Sequence, residues 1–320
     1  MEYMIPKEVL AVTSALKDKG FEAYVVGGCV RDLFLRREPK DWDVATNAKP
    51  KEIQKVFPES FYENQFFTVT VLTASKQESL REIEITTFRS DMKYADRRRP
   101  EEVEYAKTIE EDLARRDFTI NAMALKIEEK GQTIIDPFNG QKDLKRKYVV
   151  AVREATERFQ EDALRMMRAV RFMATLGFSI EPATRKAMRD NAELIQEISQ
   201  ERMRDEIIKI IDSTGAADGI EELRDLGLLQ HFLGELVEGY GVGQNKHHIY
   251  TVWEHNLYAL KYAVEQNWGT IARIASLLHD VAKPRVKRGG GKDSTFHGHE
   301  VVGARMAKEM LNRMKLPKKD

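Results

Sequence analysis

The chain has 320 residues, of which 42% are apolar and 32% are charged, and this is enough for two or three ordinary domains. Lys plus Arg number 52 and Asp plus Glu number 52, so bulk charge does not indicate a nucleic-acid partner, which would need a local patch. The single cysteine, Cys29, excludes an intramolecular disulfide and a Cys-based zinc site. The charged N-terminus is not typical of a signal peptide, and no stretch approaches the roughly 20 apolar residues of a membrane helix. We therefore expect a soluble cytoplasmic protein with no membrane partner.

The first part of the chain alternates between helical and strand patterns. The spacing of apolar residues predicts a helix over 5–20 that ends at Gly20. AYVVGG (23–28) predicts a buried strand that stops on two glycines, followed by a helix from Cys29 to about Leu35. Three further strands of the same sheet are predicted: WDVAT (42–46), FFTVTVLT (66–73) and LREIEITTF (80–88).

Helical patterns dominate after this sheet region. The charged segment RSDMKYADRRRPEEV (89–103) predicts a long loop, and RRDFTINAMAL (115–125) and TIIDPFNG (133–140) complete an α+β first domain. Strand signals stop from Asp143 onward. Helices are predicted at four places and again from about Lys246, with a glycine-rich break at 289–291; the four are 156–176, 181–198, 200–212 and 218–228.

Two acidic residues follow the first strand–glycine–helix turn. Gly27 and Gly28 allow backbone amides to approach a ligand, and the next helix offers its N-terminal amides to an anion such as a triphosphate. Asp41 and Asp43 are two apart, so on a strand their carboxylates project to one side. Two neighbouring carboxylates repel unless a cation lies between them, and hard oxygen ligands favour Mg²⁺. Glu84, between Ile83 and Ile85 on a predicted strand, is a candidate third carboxylate.

A second acid–base pair lies in FQEDALRMMRAVRFMATLGF (159–178). Asp162 and Arg165 are three apart, which places them on one face of the predicted helix. On spacing alone, a surface ion pair is the simplest interpretation. GGGKDS (289–294) lacks the spacing of a P-loop and follows no strand, and the chain has no G-x-G-x-x-G fingerprint, so dinucleotide chemistry is not indicated.

Five ordered motifs give the chain a specific resemblance. It resembles the class II tRNA nucleotidyltransferases: bacterial CCA-adding enzymes and their A-adding, CC-adding and poly(A) polymerase relatives. The resemblance covers roughly residues 20–215 and rests on VVGGCVRDLFLRREPKDWDVATNA, RRDFTINAMAL, DPFNG, EDALRMMRAVRF and ERMRDE. HNLYAL, LLHDVAKP and HGHE further resemble the HD-domain segment found in some of these enzymes.

The resemblance assigns roles in the first domain. It implies that Asp41 and Asp43, with Glu84 as third ligand, hold the Mg²⁺ that activates a tRNA 3′-hydroxyl and stabilises the departing pyrophosphate. The triphosphate would be bound by residues of the first turn and its helix, which are Gly27, Gly28, Arg31 and Asp32. The ribose would be read by Arg116 and Asp117 of RRDFTINA, and Asn121 of the same segment would also bind the nucleotide. From the residues alone, Asp117 is also a candidate cap of a helix that starts there.

The same resemblance gives the second acid–base pair a function. Cytosine and adenine each show an amino donor beside a ring-nitrogen acceptor, and uracil and guanine reverse this pattern. Asp162 as acceptor and Arg165 as donor would therefore select C and A. Arg168 and Arg171 would contact phosphate or RNA, or else flank a core stripe. Glu201, Arg202 and Glu206 of ERMRDE would orient the selecting helix, or else form a solvated helix face.

Two features bear on which family member this is. The loop 89–103, with Arg97, Arg98, Arg99 and Pro100, matches the family's flexible loop, which favours an enzyme that adds the terminal A. Phe67 stands where relatives usually carry glycine.

The C-terminal segment resembles the start of an HD metal site. Its candidate ligands are His255, His279, Asp280 and His299, with His247, His248 and His297 as weaker candidates. The chain stops at LPKKD (316–320), before the further ligands of full HD segments, so we expect a shortened variant in which this segment is a scaffold.

Together these patterns predict an α+β fold with four parts: a nucleotidyltransferase head (1–140), a helical neck (141–215), a helical body (216–245) and a partial HD-like domain (246–320). The predicted function is Mg²⁺-dependent addition of CCA, or its final A, to tRNA 3′ ends from CTP and ATP. A poly(A) polymerase is the first alternative. An HD-type phosphohydrolase is an alternative of another class.

Overall fold

The computed structural model describes residues 3–63, 68–89, 105–245 and 248–316, and they divide into two units, Met1–Glu154 and Ala155–Asp320. Phe67, His247, most of the predicted loop 89–103 and the end of LPKKD lie outside the described residues.

The first unit is built on a mixed sheet. Within the described residues this sheet has seven strands in the order β3-β4-β5-β2-β1-β6-β7. Only β2 and β5 pair in parallel among these neighbours. The strands are β1 (Ala23–Val26), β2 (Asp43–Thr46), β3 (Ser60–Glu63), β4 (Thr68–Leu72), β5 (Glu82–Thr87), β6 (Ala124–Glu128) and β7 (Gly131–Ile135), and a two-residue strand, β8 (Tyr148–Val149), follows them.

Six helices accompany this sheet in the described part of the first unit. They are α1 (Lys7–Asp18), α2 (Gly28–Phe34), α3 (Pro50–Val56), α4 (Glu78–Arg81), α5 (Ile109–Ala114) and α6 (Gly140–Arg146). Helix α1 buries Val9, Val12 and Leu16, whose spacing of three and four residues gives one apolar face. Helix α5 and strands β1, β2 and β6 all contribute buried residues to a core cluster, which includes Tyr24, Val26, Ala45, Phe88, Leu113 and Ala124. This packing places β1 and β2 against α5.

The second unit is almost wholly helical. Its elements are α7 (Ala155–Glu161), α8 (Leu164–Leu176), β9 (Ser179–Ile180), α9 (Pro182–Asp190), α10 (Gln200–Ile211), α11 (Ala216–Asp225), α12 (Gln230–Val237), α13 (Val252–Glu265), α14 (Thr270–Leu278), α15 (Lys283–Val286) and α16 (His299–Arg313). Gly219 lets α11 approach its neighbours closely, because a Cβ there would lie 2.6 Å from Ile210 Cγ2 and 3.3 Å from Ala174 Cβ. Buried Arg273 ties α14 to the end of α10 by donating to the carbonyls of Ile211 and Ser213. No helix among the described residues is both long and apolar enough to cross a bilayer.

The α+β class and the change to helices are confirmed, and several local predictions are wrong. The segment 156–176 is two helices, because the chain leaves helical geometry at Asp162 between α7 and α8. The segment 181–198 is α9 followed by a 3₁₀ turn at Ala192–Glu197. The predicted strand 80–88 begins with the short helix α4. Strand β3 and helix α12 were not predicted.

Gly140→Ala tests how closely the start of α6 packs against the segment from Thr119 to Met123. A Cβ at Gly140 would lie 2.3 Å from the Thr119 carbonyl oxygen and 2.9 Å from Met123, so this substitution should lower the free energy of unfolding by about 3 kcal/mol or more. Gly28→Ala is the matched control, since it also changes the first residue of a helix but meets only Arg31 nitrogens, at 3.6 and 3.9 Å. Urea denaturation measures both, and equal stabilities would contradict this packing.

Candidate active site

Three acidic residues lie together where β2 begins alongside β5. The parallel register pairs Asp43 with Glu84, and Asp41 lies just before β2. Burial, and after it the charge of Asp41, raises the pKa of Asp43 to about 7, with Glu84 adding to the shift and Arg116 opposing it. The fold therefore concentrates negative charge in a partly buried place, and this is the electrostatic setting of a cation site.

Gly27 forms the turn between β1 and α2 beside these acids. Its φ is +80°, a value that glycine adopts readily and other residues do not. A Cβ at this position would lie 2.9 Å from Arg116 Nη1 and 3.2 Å from Asp43 Oδ2. The missing side chain thus lets the backbone come close to both the arginine and the carboxylate. A Cβ at the neighbouring Gly28 would meet only Arg31.

A chain of side-chain hydrogen bonds joins α2 to the RRDFTINA segment. Arg31 Nη1 donates to Asn121 Oδ1 at 2.8 Å, and Asn121 Nδ2 donates to Asp117 Oδ1 at 3.2 Å. Arg31 also pairs with Asp32, at 2.9 Å. The structure thus brings together Arg31, Asp32, Asp117 and Asn121, four of the residues predicted to bind nucleotide.

The prediction that Asp117 caps a helix is wrong. Residues Thr119–Asn121 form a single 3₁₀ turn that begins after Phe118, and β6 follows it. Asp117 Oδ1 instead accepts from the backbone N–H of the adjacent Phe118 at 2.8 Å. The carboxylate holds the turn and Asn121 in place.

Asp112 is a residue of this site that the sequence reasoning missed. It lies on α5 with a side chain only 1% exposed, and it pairs with Arg115 and Arg116, each at 3.1 Å. Burial alone would raise the pKa of Asp112, but Arg116 and Arg115 hold it below its ordinary value. Its spacing of three and four residues from the two arginines was the available signal.

In the second unit, the predicted base-selecting pair does not share one helix. Asp162 lies in the break between α7 and α8, where its Oδ1 accepts from Leu164 N–H at 3.1 Å. Its carboxylate also accepts from Arg202 Nη2 at 2.7 Å and from Nη1 at 3.3 Å. Arg165 donates to Glu161 at 2.8 Å and to the Arg158 carbonyl at 3.2 Å. Each member of the pair is therefore oriented by a different neighbour.

The ERMRDE segment contacts α8 through one further residue. Buried Glu206 accepts from Arg171 Nε at 2.6 Å. The Arg171 guanidinium lies 4.1 Å from the Phe172 ring centroid, and that of Arg168 lies 5.7 Å from it. Glu201 departs from the expectation, since it pairs with Lys315.

A separate cluster of imidazoles surrounds Asp280. His255, His279 and His299 each place Nε2 within 3.3–3.4 Å of an Asp280 carboxylate oxygen, and His255, His279 and Asp280 are close enough to share one metal ion. Lys283 Nζ also lies 2.7 Å from Asp280 Oδ2. The ring of His248 contacts that of His255, with 5.5 Å between the ring centroids, and His297 is exposed.

Three known protein families match consecutive parts of the chain. Residues 23–150 match the poly(A) polymerase head domain. Residues 177–238 match the probable RNA- and SrmB-binding site of polymerase A, and residues 252–320 match the HD domain.

Individual proteins that resemble this chain are CCA-adding enzymes. The chain is 46% identical to the CCA-adding enzyme of Lactobacillus delbrueckii subsp. bulgaricus and 44% identical to that of Geobacillus kaustophilus. Each match covers 71% of this chain, and they cover 56% and 55% of the relatives, so the matched region spans about half the length of these proteins. The crystal structure of the Bacillus stearothermophilus CCA-adding enzyme in complex with CTP is 32% identical, with a TM-score of 0.67, over 99% of this chain and 68% of that one.

Asp43→Asn tests the charge crowding at the three acids. A folded pKa of about 7 against an ordinary value of 3.8 means that the native state gains a proton as pH falls through 7, while the unfolded chain does not. The destabilising contribution of Asp43 should therefore shrink on acidification. We expect the variant to be more stable than wild type by about 1–3 kcal/mol near pH 8.5 with chelator, and by less near pH 5.5.

Thermal or urea unfolding at the two pH values measures this difference. Asp18→Asn, at an exposed site at the end of α1, is the matched control and should show no such pH-dependent gain. A stability gain of the Asp43→Asn variant that does not change with pH would contradict the assignment.

Proposed function

This chain belongs to the family of the CCA-adding enzymes and bacterial poly(A) polymerases, and from that membership we propose that it adds CCA, or the terminal A, to tRNA 3′ ends from CTP and ATP. The reaction is template-independent nucleotidyl transfer in the cytoplasm. The observation that carries the proposal is the cluster of Asp41, Asp43 and Glu84 beside the Gly27 turn. The likeness of 99% of this chain to 68% of a CCA-adding enzyme in complex with CTP supports it. A tRNA nucleotidyltransferase, 27% identical, complexed with a primer tRNA and an incoming ATP analogue, also supports it.

Enzymes of this family are generally metal-dependent, and we assign Mg²⁺ to the three acids. Their oxygen donors suit a hard cation, and the raised pKa of Asp43 is relieved when a cation offsets the charge of its neighbours. Asp41, Asp43 and Glu84 would hold the ion. Bound there, it would supply Lewis-acid stabilisation of the charge on the reacting phosphates.

The protein's own groups would bind and orient the nucleotide. Gly27 and Gly28 would let the backbone approach the triphosphate, with Arg31 and Asp32 shaping the loop. Arg116, Asp117 and Asn121 would face the ribose. Asn121 accepts from Arg31 through its side chain and from Arg116 through its carbonyl, and it donates to Asp117. These bonds fix the side chains before the nucleotide arrives, which favours a single bound orientation.

Base selection would rest on Asp162 and Arg165. Asp162 would accept from the amino group of C or A, and Arg165 would donate to the ring nitrogen beside it. With U or G, the Asp162 acceptor would face another acceptor and the Arg165 donor would face another donor. Both polar groups would then be left without a hydrogen bond, which lowers the affinity for the wrong base. Arg202 and Glu161, which orient the two side chains, would keep their geometry constant between C and A. Arg168 and Arg171 would add positive charge near phosphate or RNA.

We assign these roles to a head at 1–140, a neck at 141–215 and a body at 216–245, which an HD-like domain at 246–320 follows. The His255, His279, Asp280 and His299 cluster would be the metal site of that domain. The curated relatives are named CCA-adding enzymes, so the comparisons do not favour a poly(A) polymerase or an HD phosphohydrolase.

Single-turnover extension with Mg²⁺ tests the proposal. The substrates are tRNAs that end at the discriminator base, at C or at CC, each with CTP, ATP or both. We expect the shortest tRNA to gain C, C and A and then stop. Addition of one A to the CC-ended tRNA alone would define an A-adding enzyme, long A tails would indicate a poly(A) polymerase, and no extension would refute the transferase proposal.

Two variants test whether the extension activity depends on the first unit or on the second. Asp43→Ala should reduce extension by about 10³-fold or more, because it removes a ligand of the proposed ion. His279→Ala should leave extension near the wild-type rate. The HD hydrolase alternative predicts instead no extension, and a phosphoester hydrolysis that His279→Ala removes and Asp43→Ala leaves intact.

Asp162→Ala tests base selection. Loss of the acceptor should lower kcat/KM for CTP and ATP by about 100-fold and raise the relative use of UTP and GTP. Arg202→Met, which keeps Asp162 but removes its guanidinium partner, should give a smaller change in the same direction. Unchanged base preference in Asp162→Ala would contradict the assignment.

A further inference from the structure

Asp112 is a buried carboxylate outside the three-acid cluster, and it accepts hydrogen bonds from two arginines. Its Oδ2 accepts from Arg116 Nε at 3.3 Å and from Arg116 Nη2 at 3.1 Å. Its Oδ1 accepts from the same two nitrogens of Arg115, at 3.3 and 3.1 Å. Two-point bonds of this kind fix the plane of a guanidinium as well as its position.

The hydrogen bonds from Arg116 to Asp112 determine which guanidinium nitrogen of Arg116 faces the site. With Nε and Nη2 bonded to Asp112, Nη1 points the other way and donates to the Asn121 carbonyl at 3.4 Å. The same Nη1 lies 2.9 Å from the point where a Cβ at Gly27 would stand, and Asp43 Oδ2 lies 3.2 Å from that point. Asp112 therefore aims one N–H-bearing nitrogen of Arg116 at the junction of the glycine turn and the acidic cluster.

Asp112 also holds the end of β5, the strand that carries Glu84. The backbone N–H of Arg89, two residues beyond β5, donates to Asp112 Oδ1 at 3.2 Å. A backbone bond from Ala106 N–H to the Phe88 carbonyl, at 3.0 Å, joins the same strand end to the chain that leads into α5. One carboxylate thus contacts both the segment that follows β5 and the arginine that faces the cluster.

We propose that Asp112 is a positioning residue for sugar recognition, which acts by holding Arg116 in the orientation that favours a ribonucleotide over a 2′-deoxyribonucleotide. This inference rests on the proposed function, in which Arg116 faces the ribose. Asp112 itself touches no substrate in this account. Its effect passes through Arg116, and this distinguishes it from a residue that only stabilises the fold.

The primary test compares ATP with dATP in the addition of A to a CC-ended tRNA. Asp112→Asn keeps the shape but replaces one acceptor oxygen with an amide donor that faces a guanidinium. We expect the ratio of kcat/KM for ATP to that for dATP to fall about tenfold or more, mainly through a loss with ATP. Glu111→Gln is the matched control, because it changes an exposed carboxyl on the same helix and should keep the wild-type ratio.

Coupling to Arg116 separates positioning from a structural role. Arg116→Lys should lower the same ratio, and adding Asp112→Asn to it should change the ratio little further, since the two substitutions remove one interaction. A structural role would lower the rates with ATP and dATP equally. An unchanged ratio in folded Asp112→Asn, or full additivity with Arg116→Lys, would overturn the proposal.

Two measures keep the test decisive. If thermal unfolding shows that Asp112→Asn does not fold, Asp112→Glu retains the charge and displaces the guanidinium, and it should also lower the ratio. If the wild-type chain transfers no nucleotide, the proposed function fails, and calorimetric binding of ATP and dATP with Mg²⁺ decides this inference separately. A wild-type preference for ATP that Asp112→Asn loses supports it, and equal binding of the two nucleotides by the wild type refutes it.

Discussion

Burial of Asp43 beside two other carboxylates, where β2 begins alongside β5, is the constraint on which the rest of the site depends. Parallel pairing places Asp43 opposite Glu84, and Asp41 precedes the same strand, so three acids are held together at a cost in folding free energy. The fold tolerates this because Arg116 lies beside Asp43 and partly offsets the charge. The position of Gly27 follows from the same crowding, since any side chain there would occupy the space between Arg116 and Asp43.

Arginines held by carboxylates recur wherever a recognition role is proposed. Asp112 fixes Arg116, Glu206 fixes Arg171, and Glu161 fixes Arg165, while Arg202 fixes the carboxylate of Asp162. A group fixed in this way reaches a ligand without losing further side-chain entropy, so more of its interaction energy contributes to selectivity. Asp112 and Glu206 are buried, and burial makes each pair costly to break from one side.

Much of the head could be predicted from the sequence because its signals are local. A buried apolar run followed by two glycines defines β1, the Gly27 turn and α2, and the two-residue spacing of Asp41 and Asp43 predicts a joint site. The break at Asp162 was missed, because the apolar spacing of α8 extends smoothly back into α7. The resemblance names Arg202 as an orienting residue, but its pairing with Asp162, 40 residues away, is not readable from the sequence. The spacing of Asp112 from Arg115 and Arg116 is visible there, but its place beside the site depends on how α5 packs near β1. Those contacts depend on tertiary structure.

Binding of Mn²⁺, as a paramagnetic substitute for Mg²⁺, tests most directly the claim that the three acids form a nucleotide-dependent cation site. The measurement is electron paramagnetic resonance titration with CTP present, on the wild type, Asp43→Asn and His279→Ala. We expect Asp43→Asn to weaken the CTP-dependent binding by at least about tenfold and His279→Ala to leave it intact. CTP-dependent binding that survives Asp43→Asn, or disappears with His279→Ala, would contradict this claim.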